Sequence, residues 1–133
     1  MNRRQIKALE ALAELENRPG GTSSVELALS LSLSRDSVHQ LLLPLVRNGW
    51  VVAGRGRLGG YRVTPAASGV PILDIVSAFS SRGESSPNPG TSKWIRRLEN
   101  RAEDAYREVL SSVTVAEMAE AVRAEREALT WAI

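Results

Sequence analysis

Four polar side chains lie within six residues near the start of one predicted helix: Arg35, Ser37, His39 and Gln40. Side chains of these types often contact the edges of DNA bases. Arginine can donate two hydrogen bonds to one guanine, and glutamine can pair in the same way with adenine; each good pair contributes about 1 to 3 kcal/mol of discrimination. The segment therefore predicts recognition of bases in a major groove, which is wide enough to admit an α-helix.

A glycine-rich segment adds further arginines. Arg55 and Arg57 lie within Gly54–Gly60, where four of the seven residues are glycine. A backbone without Cβ atoms can come close to a phosphate chain, and arginine side chains favour a narrow minor groove. Gly59 and Gly60 are therefore candidate contacts as well. The alternative is an ordinary hairpin whose arginines are only solvated.

Positive charge is concentrated in the first half of the chain. Residues 1–65 hold nine Lys or Arg and five Asp or Glu, whereas residues 66–133 hold eight and ten, so the halves carry +4 and −2. Five arginines and a single acid lie between positions 35 and 62. A local excess of this kind suits a polyanionic partner, although the formal charge of the whole chain is only +2.

The composition argues against an enzyme and against a metal cofactor. The chain has no cysteine and one histidine, which excludes disulfides, thiolate zinc sites, cysteine-ligated iron–sulfur clusters and thiol catalysis. No nucleophile paired with a base and no phosphate-binding loop is recognisable. With 133 residues, no long apolar run and no signal-peptide core at its start, the chain is expected to form one cytoplasmic globular unit without a cofactor.

The spacing of apolar residues predicts three helices before the glycine-rich segment. The first spans Arg3–Glu16, and the hydroxyls of Thr22–Ser24 can cap a short second helix. The turn Ser32–Ser34 leads into the third helix, which Gly49 ends. Two short helices joined by three residues have the spacing of a helix-turn-helix. A small three-helix packing unit whose polar first turn faces water has the same pattern.

The remainder of the chain predicts a hairpin and further helices. The β-prone runs Trp50–Ala53 and Tyr61–Val63 flank the glycine-rich segment, and Pro71 precedes a helix. Residues 80–92 read as a flexible loop, because nine of the thirteen are Ser, Gly or Pro. A long helix follows from Lys93, and Thr114 has the form of a helix cap. The fold class is mainly α with a small β-hairpin wing.

The long helix carries an apolar stripe at spacings of three and four residues. We expect the stripe to form an interface between two copies, because a short wing domain offers few internal partners; burial within one chain is the alternative. We divide the chain into a winged helix-turn-helix domain (1–79), a flexible loop (80–92) and a helical dimerisation region (93–133). The expected interface residues are Trp94, Ile95, Leu98, Ala102, Ala105 and Val109.

These residues resemble the Rrf-two family of bacterial winged-helix transcription regulators over nearly the whole chain. The most specific match is Arg55–Tyr61, which has the form RGxxGGY. Further matching segments are Val25–Ala28, Leu33–Ser34, Gln40–Leu45, Asn48–Gly49, Arg62–Val63 and Ile72–Ile75. Members that sense iron or nitric oxide carry three cysteines between the wing domain and the long helix. Here that loop has none, so the chain should not hold such a cluster.

The resemblance implies a homodimer whose third helices enter successive major grooves of a near-palindromic operator, about 34 Å apart. It also implies that Arg55 probes the minor groove while Ser23 and Ser24 hold phosphate. His39 stands where relatives that read cytosine often have an acid, so the operator sequence cannot be transferred. The expected DNA-binding residues are Ser23, Ser24, Ser34, Arg35, Ser37, His39, Gln40, Arg55, Arg57, Gly59, Gly60 and Tyr61.

We therefore expect a sequence-specific regulator that represses transcription by occupying double-stranded DNA as a homodimer. A winged-helix adaptor that binds an acidic protein partner is the alternative. His39 leaves two interpretations open: a groove contact that weakens as the imidazole loses its proton, or a solvated side chain. The controlling signal is equally open, and a small molecule, a partner protein or the protein's own concentration would each serve.

Overall fold

A computed structural model describes residues 1–54, 60–80 and 90–131 of the chain, and within these ranges the protein forms six α-helices and one small antiparallel sheet. A five-residue 3-10 turn, Pro65–Gly69, precedes the fourth helix. None of the described helices is both long and apolar enough to cross a bilayer. The elements in chain order are α1 (Arg3–Glu16), α2 (Ser24–Leu31), α3 (Arg35–Arg47), β1 (Val51–Ala53), β2 (Tyr61–Val63), α4 (Ile72–Ala78), α5 (Lys93–Ser111) and α6 (Val115–Trp131).

Helix α1 is the centre of the core and has the predicted bounds. Asn2 caps it in a reciprocal capping box with Gln5, so two main-chain donors of the first turn are satisfied. The buried amide of Gln5 also donates to the Val76 carbonyl of α4 at 3.0 Å. Leu12 and Leu15 are fully buried, together with apolar residues of α2, α3, α4 and α6. Nearly every element is therefore positioned against one helix.

The helix-turn-helix forms as predicted. The Ser23 hydroxyl caps α2, and Ser32 closes that helix in the left-handed conformation with φ of 55°. The Ser34 hydroxyl caps α3 three residues later. Gly49 follows α3 with φ of 76°, the conformation that favours glycine at the end of a helix. The turn between α2 and α3 is therefore fixed at one end by the left-handed Ser32 and at the other by the Ser34 cap.

The hairpin is joined to the helix-turn-helix by a bridge that the sequence did not predict. Strands β1 and β2 are antiparallel, with Val51 opposite Val63. Outside the hairpin, Thr22 pairs with Tyr61 through two main-chain hydrogen bonds of 3.0 and 2.8 Å. Since Thr22 lies directly before the cap of α2, these bonds fix β2 against the start of that helix. Thr22 is 1% exposed.

The C-terminal helix α6 and the residues before it pack against α1 and the start of α4. The Ile72 amide donates to the Val113 carbonyl at 2.8 Å, and the Val115 amide donates to the Val70 carbonyl at 3.0 Å. Val115 lies in the same buried cluster as α1, and the predicted Thr114 cap accepts a hydrogen bond from the Glu117 amide at 3.2 Å. The predicted flexible loop, residues 80–92, lies mostly outside the described residues, so the division of the chain there stays a prediction. Within the described residues, α6 packs against α1. No residue of α5 is buried.

Substitution of Gly60 by alanine tests the bridge. A Cβ at this position would lie 2.9 Å from the Thr22 carbonyl oxygen, whereas one at Gly69 would meet nothing within 4 Å. We expect Gly60→Ala to lower the free energy of unfolding by about 1 to 3 kcal/mol, because main chain must move. The control Gly69→Ala should stay within about 0.5 kcal/mol of the parent. Urea unfolding measures both, and equal effects would show that the close approach is unimportant.

Candidate nucleic-acid interface

The first turn of α3 presents the predicted recognition residues to solvent. The Ser34 hydroxyl accepts a hydrogen bond from the Ser37 amide at 3.1 Å and donates to the Ser37 hydroxyl at 3.0 Å. Both serines thereby order the first turn, and the Ser37 hydroxyl keeps its own hydrogen for a ligand. The exposed side chains of Arg35 and Gln40 make no hydrogen bond to the rest of the described chain. Their donors are therefore available.

Asp36 belongs to the same surface and was missed from the sequence. At about 100° per residue, Asp36, His39 and Gln40 project from the side of α3 opposite Val38 and Leu45, which are fully buried. A carboxylate can accept a hydrogen bond from the amino group of cytosine. Its position between Arg35 and Ser37 could have indicated a base contact. An acid at the start of a helix is, however, also explained by its favourable interaction with the helix dipole.

His39 of α3 lies beside the base of the hairpin. Its Nδ1 atom lies 3.4 Å from the Tyr61 hydroxyl of β2, at the long end of a hydrogen bond. His39 is exposed and Tyr61 is half-buried. Two predicted DNA-binding residues that are 22 positions apart in sequence therefore meet at one edge of the surface. Whether either one contacts DNA stays a prediction.

The start of α2 contributes two hydroxyls beside a network of charged groups. The Ser23 hydroxyl accepts from the Glu26 amide at 3.1 Å and donates to the Glu26 carboxylate at 3.2 Å. That carboxylate also pairs with Arg18 at 3.3 Å. Ser24 is the first residue of the helix and is half-buried. Free amides at the start of a helix favour an anion. The Ser23 hydroxyl, however, already donates its hydrogen to the Glu26 carboxylate, so it has no second hydrogen to donate to a phosphate.

Only the base of the predicted wing falls among the described residues. Arg55, Arg57 and Gly59 lie outside them, so their predicted DNA contacts stay predictions. The Gly54 amide donates to the Gly60 carbonyl at 2.7 Å and closes the base of the hairpin. The close backbone approach at Gly60 is made to the protein's own Thr22.

The apolar stripe of α5 is exposed along its whole length. Trp94 is 68% exposed, Leu98 48% and Val109 63%, and Ala102 and Ala105 are exposed as well. Tyr106 lies on the same side of the helix. The stripe is therefore not part of the core of a single chain, which was the alternative interpretation.

Comparisons with known proteins agree with this architecture. Residues 1–121 match the family model described as Rrf2, iron-dependent transcriptional regulator. The HTH-type transcriptional regulator CymR of Bacillus subtilis (strain 168) is 32% identical over 119 residues, covering 86% of this chain and 83% of that protein. The structure of Staphylococcus aureus CymR superposes with a TM-score of 0.79 at 25% identity, covering 90% of this chain and 97% of that one. The fold of T. potens IscR is also similar, with a TM-score of 0.77 at 22% identity over 92% of this chain and 87% of that one.

The iron named in the family description has no fitting ligands here. The full sequence contains no cysteine thiolate. Within the described residues, no three or more His, Asp and Glu side chains cluster in a way that could hold a metal ion. His39, the single histidine, lies beside the Tyr61 hydroxyl of β2. A cysteine-ligated iron–sulfur cluster therefore does not fit this chain, and residues 1–54, 60–80 and 90–131 offer no ligand set for an iron ion.

The winged helix-turn-helix matches this family over residues 1–121, and one relative is more than 30% identical. These matches favour the DNA-binding regulator over the adaptor. The chain belongs to the Rrf2 family and is a DNA-binding transcription regulator, not an enzyme.

Proposed function

We propose that the protein is a homodimer that binds a near-palindromic operator through the first turns of its two α3 helices and represses transcription by occupying the promoter. The observation that carries this proposal is the exposed polar surface of α3, which Tyr61 ties to the base of the wing. A helix presented in this way can enter a major groove while the wing lies over the neighbouring backbone.

The exposed stripe of α5 supports a second copy as its partner. Five large apolar side chains of this helix are 36% to 68% exposed. An exposed apolar patch on a soluble protein usually marks an interaction surface. A two-fold dimer would bury the same stripe on both protomers, because an isologous interface uses one self-complementary patch.

The charges that flank the stripe favour an antiparallel arrangement of the two α5 helices. Residues 93–101 hold four basic side chains and one acid, whereas residues 102–111 hold three acids and one basic side chain. Two copies that cross in opposite directions place the basic half of one beside the acidic half of the other. A parallel pair would place like charges together. The basic residues are Lys93, Arg96, Arg97 and Arg101, and the acids are Glu103, Asp104 and Glu108.

Two-fold symmetry predicts the form of the operator. Two α3 helices related by a dyad read half-sites that repeat after about one turn of DNA, 34 to 36 Å. We assign base contacts to Arg35 and Gln40, phosphate contacts to the serines at the starts of α2 and α3, and a minor-groove contact to Arg55 in the wing. A dimer bound across both half-sites covers that stretch of the promoter. Other proteins cannot bind the same stretch at the same time, which supports repression.

Removal of the Arg35 guanidinium tests the base contact. We expect Arg35→Ala to weaken operator binding by about 1 to 3 kcal/mol and to relax the preference at one base pair, because a bidentate contact to guanine is lost. Arg47→Ala removes the same charge about 18 Å away at the other end of α3 and should keep the base preference. Fluorescence anisotropy with operator and single-substituted duplexes measures both. An unchanged preference in Arg35→Ala would contradict the assignment.

A charge placed in the stripe tests the dimer. We expect Leu98→Glu to convert the protein to a monomer, because the interface would bury an unpaired carboxylate on each protomer, beside the acidic half of the partner helix. The control Leu29→Glu introduces the same group on α2, where the leucine is 78% exposed, and should leave the dimer intact. Sedimentation equilibrium gives the oligomeric state. A parent protein that is monomeric at micromolar concentration would refute the dimer.

A further inference from the structure

A cleft of about 210 Å³ lies between α1, the end of α2 and α6. Its walls are largely apolar and include Leu9, Leu31 and Met118. Three charged side chains line it: Glu10 lies at its exposed rim, and Glu14 of α1 forms an ion pair with Arg126 of α6. The cleft is thus an apolar space with one ion pair on its wall, and the DNA-binding surface does not use it.

The carboxylate of Glu14 is unusual among the described charged groups. The side chain is 5% exposed, whereas that of Arg126 is 55% exposed. Its Oε1 atom pairs with Arg126 at 2.6 Å. Its Oε2 atom is buried without a hydrogen-bond donor, and the nearest cation, the Arg18 Nε atom, lies 3.5 Å away. A buried carboxylate with too few donors is costly, so Glu14, which lines the cleft, favours an added N–H group.

We propose that this cleft is a binding site for a small organic cation, an amine or guanidinium carried on an apolar group, whose N–H groups pair with Glu14 while the apolar part contacts Leu9, Leu31 and Met118. The buried member of the ion pair is the acid, and its counter-charge comes from a long, half-exposed side chain. A ligand cation can therefore take the place of Arg126, whereas an anion would meet the buried carboxylate.

The volume limits the ligand to a small molecule. An apolar cavity of about 150 Å³ engineered in another protein binds benzene. The cleft, at about 210 Å³, accordingly has room for one ring with a short amino arm. Typical drug-sized sites begin at about 300 Å³, so the cleft suits a small cation better than a drug-sized one.

Occupation of the cleft would be felt at the DNA-binding surface, and this part of the inference rests on the proposed function. Glu14 pairs with Arg18, Arg18 pairs with Glu26 at 3.3 Å, and Glu26 accepts from the Ser23 hydroxyl at the start of α2. A cation that draws Glu14 away from these partners changes the charges around a predicted phosphate contact. The cleft thereby supplies a route for a small-molecule signal.

Binding of benzylamine by the parent protein, without DNA, tests the site directly. We expect saturable binding by calorimetry at pH 7, with benzyl alcohol and benzoate, which share the ring but lack the cation, binding at least about tenfold more weakly. Because DNA is absent, a failure here leaves the operator experiments unaffected. Equal binding of the three ligands, or no saturable binding because a second copy covers the cleft, would overturn the proposal.

Two variants locate the site, and their effects have opposite signs. Glu14→Gln removes the charge with little change in shape and should weaken benzylamine binding by about tenfold or more. Arg126→Ala removes the internal competitor, so benzylamine should bind more tightly than to the parent and should raise the Tm of the variant. Weaker binding to Arg126→Ala would contradict competition at Glu14.

Matched controls come from the same two helices. Glu10→Gln removes an acid from α1 at the exposed rim of the cleft, where Glu10 pairs with Lys7 at 3.1 Å. Arg123→Ala removes a cation from α6 that pairs within its own helix, where its hydrogen bond and charge lower the pKa of Glu120. Both should change benzylamine affinity by less than about twofold, since exposed pairs contribute little. An effect of Arg123→Ala as large as that of Arg126→Ala would refute the assignment.

Discussion

The short bridge between Thr22 and Tyr61 is the constraint that places the base of the hairpin beside the helix-turn-helix. Its two main-chain hydrogen bonds join the residue before the α2 cap to the first residue of β2. Gly60 permits the approach, because a side chain there would collide with the Thr22 carbonyl. The wing base and the helix-turn-helix are thereby held as one body, and the Tyr61 hydroxyl reaches His39 on α3. Helix-turn-helix and wing can then address adjacent parts of one duplex.

Helix α1 is the centre of the core, whereas among the described residues of α5 only Leu110 packs against that core. Its apolar side packs on α2, α3 and α4, and its acid Glu14 takes Arg126 from α6. The C-terminal helix is thus bound back to the first domain, while the stripe of α5 stays exposed. A buried charge in this position contributes little net stability, but it is sensitive to the loss of its partner. That sensitivity makes the contact between α1 and α6 suited to a signal.

The parts of this fold that follow from local patterns could be predicted from the sequence. Periodicity gave the bounds of α1, and hydroxyl and glycine chemistry gave the Ser34 cap and the Gly49 terminus. The Thr22 bridge could not be predicted, because one residue pairing across 39 positions leaves no repeating pattern. The burial of Glu14 could not be predicted either, since an acid in an amphipathic helix ordinarily faces water. The predicted contacts of Arg55 and Arg57 lie outside the described residues.

The most direct test of the whole account is the selection of duplexes from a random pool by the purified protein, followed by hydroxyl-radical footprinting of the enriched sequence. A dimer that reads two half-sites should enrich one sequence with two-fold symmetry and protect two patches on the same side of the duplex, whose centres are about 34 to 36 Å apart. A single unsymmetrical patch, or a pool without any enriched sequence, would contradict it.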